Sequence, residues 1–436
     1  MAVNSADDKH LPALRRLAAH LAGVLQADLN LRLWNGELLP LGPAPTGDLA
    51  LAIRTPAAIG RLLRRPRLFT LLDLMAAGDI DIEGGTLLDI AARRGAASRG
   101  LARRLDKFLL ARTLLPFLFV RAGAAGAGHA WQGEAAARPE AGRDDKALVQ
   151  FHYDLSNAFY GRFLDAEMQY SCAYFPDWDA DLDTAQQAKM DMICRKLRLR
   201  PGQRFLDIGC GWGGLVCHAA RHHGVRAHGV TLSQAQHDFA QAKIARLGLQ
   251  DCVTVELKDW RALTGEYDAI ASIGMFEHVG SANHEAYFRG VHALLKPRGI
   301  MLHHAITRPA KRDDRAFRRH KPEYAAIIRY IFPGGELDHI GNTIANLERF
   351  GFEVHDVEGW REHYARTTRL WCERLQAARG AAEAEVGAGR LRLWLLYLAG
   401  VSLAFERGTV GIFQTVVTRR ARGASGLPPT RAGLYK

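Results

Sequence analysis

Residues 205–215 read FLDIGCGWGGL: an apolar run, an aspartate, and then Gly209, Gly211, Gly213 and Gly214 within six positions. Glycine that dense brings a backbone very close to something else. The neighbouring text shows where such a loop sits. QRFLDIG (203–209), VRAHGVTL (225–232), CVTVELKDW (252–260), YDAIASIG (267–274) and RGIMLHHAI (298–306) carry strand patterns. Helical patterns such as SQAQHDFAQAKIARLG and HEAYFRGVHALLKP separate them, and GFEVHDVEGW (351–360) and VGIFQTVVTRR (410–420) supply two more strands. This alternation predicts an α/β fold with a seven-stranded, Rossmann-like sheet. In such a sheet ligands bind beyond the carboxyl ends of the strands, where the glycine loop falls.

Dinucleotide enzymes share the logic of a glycine loop, so the loop alone does not choose a ligand. Its spacing is G-x-G-x-G-G, not G-x-G-x-x-G, and Asp207 precedes the first glycine. The next strand runs into GVTLSQAQ (229–236), without the acidic residue that holds the ribose of NAD. These details favour S-adenosylmethionine. Thr231, Ser233 and Gln234 or Gln236 offer the ribose neutral hydrogen bonds, while Asp259 and Trp260 of KDWRAL (258–263) can bracket an adenine.

The rest of the chain bounds the partners. Its 436 residues, 48% of them hydrophobic, suffice for two or three domains. Residues 1–121 mix amphipathic helices with short strands, LALAIRT (49–55) and GDIDIEGG (78–85), around a helical stretch broken at Pro66. They are expected to form a small α/β domain. Residues 122–147, rich in Gly and Ala, read as a flexible linker in which Trp131 stands out, and 148–436 as the catalytic domain. No run suggests a membrane span or a clean signal core, so a cytoplasmic protein is expected. Six cysteines without a CxxC pair imply reduced thiols and no metal. A net charge of +12 implies an acidic partner, nucleic acid or anionic lipid. The basic runs 61–67, 93–104 and 311–321 lack the interleaved aromatics of a nucleic-acid module, and read either as solvated helix faces or as a surface for an anionic membrane.

Several motifs together resemble the cyclopropane fatty acid synthase family, which includes the mycolic acid methyltransferases. They are QFHYDLSNAFY (150–160), MQYSCAYFPD (168–177), FLDIGCGWGGL, GVTLSQAQ, KDWR, SIGMFEHVG (272–280), YIFPGGEL (330–337) and HYARTTRLW (363–371). LRLWNG and GDIDIEG resemble the N-terminal domain of the two-domain bacterial members, which implies lipid or substrate association for residues 1–121. The resemblance implies a class I methyltransferase that forms cyclopropane rings on unsaturated acyl chains of phospholipids. It also implies a bound bicarbonate as base, held by Cys172, Glu277, His304, the backbone of Ile306, and Tyr364. The cofactor would be held by Tyr170, Ser171, Asp207, Gly209, Cys210, Gly211, Thr231, Leu232, Ser233, Gln236, Trp260 and Arg261, with Gln169 in support.

Chemistry adds its own demands. An alkene attacking a sulfonium methyl leaves a carbocation, which ring faces can stabilise; Tyr170, Tyr174, Phe175, Phe276 and Tyr364 are candidates. In YLAGVSLAF (397–405) Val401 replaces the family's usual cysteine, which argues against a covalent mechanism and leaves room for a different product, and Thr368 replaces a more usual leucine. A methyl-branched or methylene-bearing chain is the competing product. A lipid-binding protein with a degenerate catalytic domain is the competing class. Reversible association with the inner membrane surface is expected, and a homodimer is left open.

Overall fold

The computed structural model describes residues 8–94, 101–120, 155–319 and 321–434. The linker expected at 122–147, with Trp131, and the first residues of QFHYDLSNAFY lie outside them. The chain forms two compact units. The first takes residues up to Glu134 together with Pro322–Ala326 and Arg379–Gly400; the second takes the remainder. Thus 379–400, inside the span read as catalytic, group with the N-terminal residues.

In the first unit, β1 (Asn30–Arg32), β2 (Leu38–Pro40), β3 (Ala50–Ile53) and β4 (Ile80–Glu83) form a sheet in the order β2–β1–β3–β4. The alternation seen in LALAIRT and GDIDIEGG becomes β3 and β4, paired antiparallel. Helices Pro56–Arg64 and Leu68–Ala77 flank the break at Pro66. At three residues each, β1 and β2 are too short to show a period, and sequence patterning passes over them.

The second unit holds seven further strands: β5 (Arg204–Ile208), β6 (Arg226–Thr231), β7 (Val253–Leu257), β8 (Tyr267–Ile273), β9 (Leu295–Thr307), β10 (Phe352–Gly359) and β11 (Gly411–Arg419). Their order is β7–β6–β5–β8–β9–β11–β10. All are parallel except β11, which runs antiparallel between β9 and β10. Successive residues point to opposite faces, so Phe205 packs with Val216 and Leu302 while Leu206 packs with Tyr287 and Met301. Both faces are buried, which explains why β5 and β8 carry apolar residues at successive positions, Phe205 and Leu206 or Ala269, Ile270 and Ala271, instead of a clean alternation.

The order of β5 through β8 places the reversal of strand order at β5, and the glycine loop leaves the sheet at that point. Helix Gly214–His223 follows at once, buries Leu215, Val216 and Ala219, and stops at Gly224 in left-handed conformation. Ser233 caps the next helix, Gln234–Leu247, by accepting from the Gln236 amide. Gly214 is needed for packing: a Cβ there would stand 2.1 Å from Gln169 Nε2 and 2.8 Å from the Glu167 carbonyl.

One expectation is corrected. Helix Ala388–Glu406, 19 residues with mean hydropathy 1.2, is long and apolar enough to cross a membrane, and half of it is buried. Arg390 and Arg392 interrupt the run, yet the helix is apolar on average. Arg392 turns back onto Asp81 (3.2 Å), as expected of a helix packed within a folded unit.

Candidate active site

Beyond the carboxyl ends of β5, β6 and β8, the residues around the glycine loop line a pocket. Ten of the twelve expected cofactor residues line it: Tyr170, Ser171, Asp207, Gly209, Cys210, Gly211, Thr231, Leu232, Gln236 and Trp260. Gln169 and Asp259 join them. Ser233 does not reach the lining because its hydroxyl is used as a helix cap. Arg261 lies over the Trp260 ring at 4.8 Å and pairs with Asp259 at 2.9 Å, bracing the wall from behind. Gln234 faces its own helix, donating to Asp238.

The pocket suits a nucleoside with a charged tail. Gly211 has φ +54, and a Cβ built on it meets no protein atom within 4 Å. Its backbone therefore borders open space that a side chain would fill. Thr231 Oγ1 donates to Gln236 Oε1 (2.7 Å) and accepts from the Ser233 amide, which fixes the polar rim after β6. Asp207 is buried, and its Oδ1 has no hydrogen-bond partner in the protein. Burial pushes its carboxyl up to about 7, against the pull of Lys189. An unpaired carboxylate facing a cavity fits a cationic group better than a phosphate.

Lys189 was not foreseen. It projects from the helix Leu182–Lys196, is completely buried, and donates to Gln169 Oε1 (2.5 Å) and Ser171 Oγ (2.9 Å). Burial lowers its pKa to about 8, opposed by Asp165, Cys172 and Asp207. The one signal in the text is a lysine among the apolar positions of TAQQAKMDMI, which solvation by snorkelling explains equally well. Trp212 was also missed; it lines the pocket and donates from Nε1 to Asn157 Oδ1 at 2.7 Å.

Beside this pocket lies a second, drier cluster. Glu277 follows β8 in a short 3-10 turn between the pocket-lining Met275 and His278. Its Oε1 accepts from the Ile306 amide at 2.6 Å, and its Oε2 is buried without a partner. Burial raises this carboxyl to about 7. His304, on β9 and fully buried, receives a hydrogen bond on Nδ1 from Gln414 Nε2 (3.0 Å), while its Nε2 has no partner. Burial, aided by Lys189 and Lys196, holds its pKa well below the ordinary value, so the ring is neutral.

Trp360 joins the other members to this cluster. Its ring stands edge-on to His304 at 5.4 Å, and its carbonyl oxygen accepts from Cys172 Sγ (3.8 Å) and from the Tyr364 amide (3.0 Å). Cys172 is fully buried, and burial pushes its thiol pKa well up, so it is a donor and not a thiolate nucleophile. The Ile306 backbone, expected in this cluster, meets it through its amide, which donates to Glu277.

The aromatic candidates divide. Tyr170 lines the pocket and packs on Tyr160, Phe163 and Trp371. Tyr364 packs on Phe405, and Tyr174 stacks on His363 and tilts against Trp360. Phe276 is corrected: it sits in the core among His284, Tyr287, Phe288 and His303. Phe175 packs on Trp178 and His363 beneath Arg366 and does not line the pocket. Thr368 satisfies its hydroxyl on the Tyr364 carbonyl one turn back (2.7 Å), so leucine's replacement leaves no buried polar group unpaired.

The comparisons with known proteins agree with this geometry. Residues 141–415 match the family model described as mycolic acid cyclopropane synthetase. The chain belongs to that family. It is 38% identical, over 94% of its length and 97% of the relative's, to a Pseudomonas putida protein described as a probable fatty acid methyltransferase. It is 40% identical to the cyclopropane-fatty-acyl-phospholipid synthase of Escherichia coli K12, over 62% of this chain and 66% of that one. Among solved structures, mycolic acid cyclopropane synthase CmaA1 complexed with SAH and CTAB matches with TM-score 0.60 and 35% identity, covering 63% of this chain and 99% of that one. The second unit thus has the class I methyltransferase fold of an S-adenosylmethionine-dependent enzyme family.

Two outcomes test the site. Gly211→Ala should weaken S-adenosylmethionine binding at least tenfold by calorimetry. The methyl at positive φ costs about 1–2 kcal/mol of stability, so the variant remains folded. Glu277 gives a pH signature. Its folded pKa lies above the ordinary 4.5, so the folded state holds a proton that the unfolded state has released between those values. Its contribution is favourable below about 4.5 and is lost as pH rises through about 7, by roughly 3 kcal/mol. Glu277→Gln lacks this loss, so its melting temperature should gain on the parent's from pH 5 to pH 8. Parallel curves would show that the carboxyl is not desolvated.

Proposed function

We propose that the protein adds a methylene group from S-adenosylmethionine across the cis double bond of unsaturated phospholipid acyl chains, with a bound bicarbonate as base. The observation that carries this reading is the pair of buried, unpartnered atoms Glu277 Oε2 and His304 Nε2 beside the cofactor pocket. One can accept or share a proton and the other can donate, which together suit an anion that must itself take a proton. The naming of the Escherichia coli relative as a cyclopropane-fatty-acyl-phospholipid synthase supports the substrate class.

When bound, S-adenosylmethionine supplies an electrophilic methyl group and bicarbonate supplies a base. The residues of this chain do the rest. The glycine loop, Gln236 and Trp260 would hold the nucleoside, and Asp207 would favour the charged tail. Tyr170, one face of an aromatic wall, would stabilise positive charge on the acyl chain. His304 and Tyr364 would orient the anion, Cys172 would help to fix the Trp360 carbonyl beside it, and Glu277 would hold or return a proton. The burial of Cys172, Glu277 and His304 keeps bulk water from this cluster and so protects a carbocation from capture.

The substrate lies in a bilayer, and the surface has features for reaching it. Arg318 and Arg319 are exposed at the C-terminal end of the helix Asp314–Arg318. In the N-terminal unit, Phe108 is 75% exposed on the helix Lys107–Leu114, which also carries Lys107 and Arg112, and Phe119 is 86% exposed at the end of the 3-10 turn Leu115–Phe119 that follows. Apolar side chains beside basic ones suit a membrane interface, and a cytoplasmic protein docked reversibly on the inner membrane surface fits this. The competing product, a methyl-branched chain, is favoured by Val401 and by the description of the Pseudomonas putida relative.

Expression in a host with unsaturated lipids should yield acyl chains heavier by one methylene, and fragmentation should show a ring. A branch would select the competing product, and no mass change would leave a lipid-binding protein. Co-sedimentation with anionic vesicles should weaken as salt rises and weaken further when Arg318 and Arg319 are neutralised. Equal, salt-insensitive binding to neutral vesicles would remove the electrostatic docking.

A further inference from the structure

The anion-binding reading uses His304 but leaves open what decides which of its nitrogens carries the proton. A chain of buried groups behind it answers this. Gln414 lies directly opposite His304 across the β9–β11 ladder, and both side chains are fully buried. Gln414 Oε1 is 2.7 Å from Lys196 Nζ, and Gln414 Nε2 is 3.0 Å from His304 Nδ1. Lys196 is 1% exposed, pairs with Glu358, and lies over the Trp360 ring at 5.2 Å.

The hydrogen-bonding rules leave this chain one direction. An ammonium group only donates, so Lys196 must face an acceptor, and that fixes the carbonyl end of the Gln414 amide toward it. The amide's NH₂ end then faces His304 and donates to Nδ1. A neutral imidazole accepting on Nδ1 carries its proton on Nε2. The Nε2–H is the buried atom that has no partner in the protein. Glu358 keeps Lys196 charged, which burial alone would oppose.

We propose that Gln414 and Lys196 are positioning residues that hold His304 as the Nε2–H tautomer, so that it presents a fixed donor to the anion in the active site. This rests on the anion-binding role of His304 proposed above. Neither residue touches the reacting atoms. Their effect passes through the imidazole.

Gln414→Glu is the informative change. It is nearly isosteric and keeps an acceptor for Lys196, but it turns the NH₂ donor into a second acceptor. Nδ1 must then carry the proton, and Nε2 becomes an acceptor facing the anion. Nitrogen-15 NMR of imidazole-labelled protein, with His304→Gln to assign the signal, should show the Nε2–H tautomer in the parent and Nδ1–H or imidazolium in Gln414→Glu. Turnover should fall about 10²-fold, the scale for losing one aimed donor. S-adenosylmethionine affinity and the melting temperature should stay near the parent's. Lys196→Met, which frees the amide to rotate, should give a mixture of tautomers and an intermediate rate. An Nδ1–H signal in the parent, or an unchanged tautomer in Gln414→Glu, would overturn the proposal. The companion arm varies bicarbonate: if turnover ignores it while the tautomer behaves as stated, the anion reading fails and the positioning stands.

Discussion

A buried ammonium group underlies the order of the whole site. Lys189 donates to Gln169 and Ser171, two residues of one extended segment with few regular backbone bonds of its own. Removing a lysine from water costs several kcal/mol, and the segment returns part of that through charge-assisted hydrogen bonds. Gln169, so held, packs on the start of the helix after β5 closely enough that only glycine fits at 214. The same segment brings Tyr170 to the pocket and Cys172 to Trp360. Asp165 and Asp207 offset the charge from either side, and Asp207 remains partly unsatisfied toward the cavity.

Electrostatics in this region follow from dryness. Asp207 and Glu277 rise to about 7 and His304 falls, all principally through burial and not through a neighbouring like charge. Asp207 and Glu277, each near 7, change protonation with little driving force near neutrality, whereas His304 stays neutral there. Folding therefore bears the desolvation of each group, and a ligand of the right charge relieves it. The site is built at the expense of stability, as functional sites commonly are.

Much of this was legible in the sequence because the features are local. Seven strands announced themselves by apolar runs between helical periods, and the glycine loop by its spacing. The pocket rim followed from short motifs, since residues within one motif stay together in the fold. What stayed hidden depends on pairing across the chain. Lys189 and Lys196 look like the solvated positions of a helix, and nothing within their own stretch says that both are buried. Ser233 and Phe276 mislead in the opposite sense: each stands in a functional motif, yet one caps a helix and the other fills the core. Composition also failed for Ala388–Glu406, where two arginines concealed an apolar average.

The antiparallel strand β11 has a consequence for biogenesis. It follows every other strand in the chain, yet it lies inside the sheet, between β9 and β10. Until it is synthesised and inserted, β9 and β10 expose unpaired edges, and His304 faces no amide. Translation therefore delivers the residues of the cofactor loop before the strand that carries Gln414. That gap is an aggregation hazard of the kind chaperones shield, because two open edges can recruit another chain. It also means that a polypeptide cut short before residue 411 would retain the cofactor loop while lacking the strand that completes the sheet.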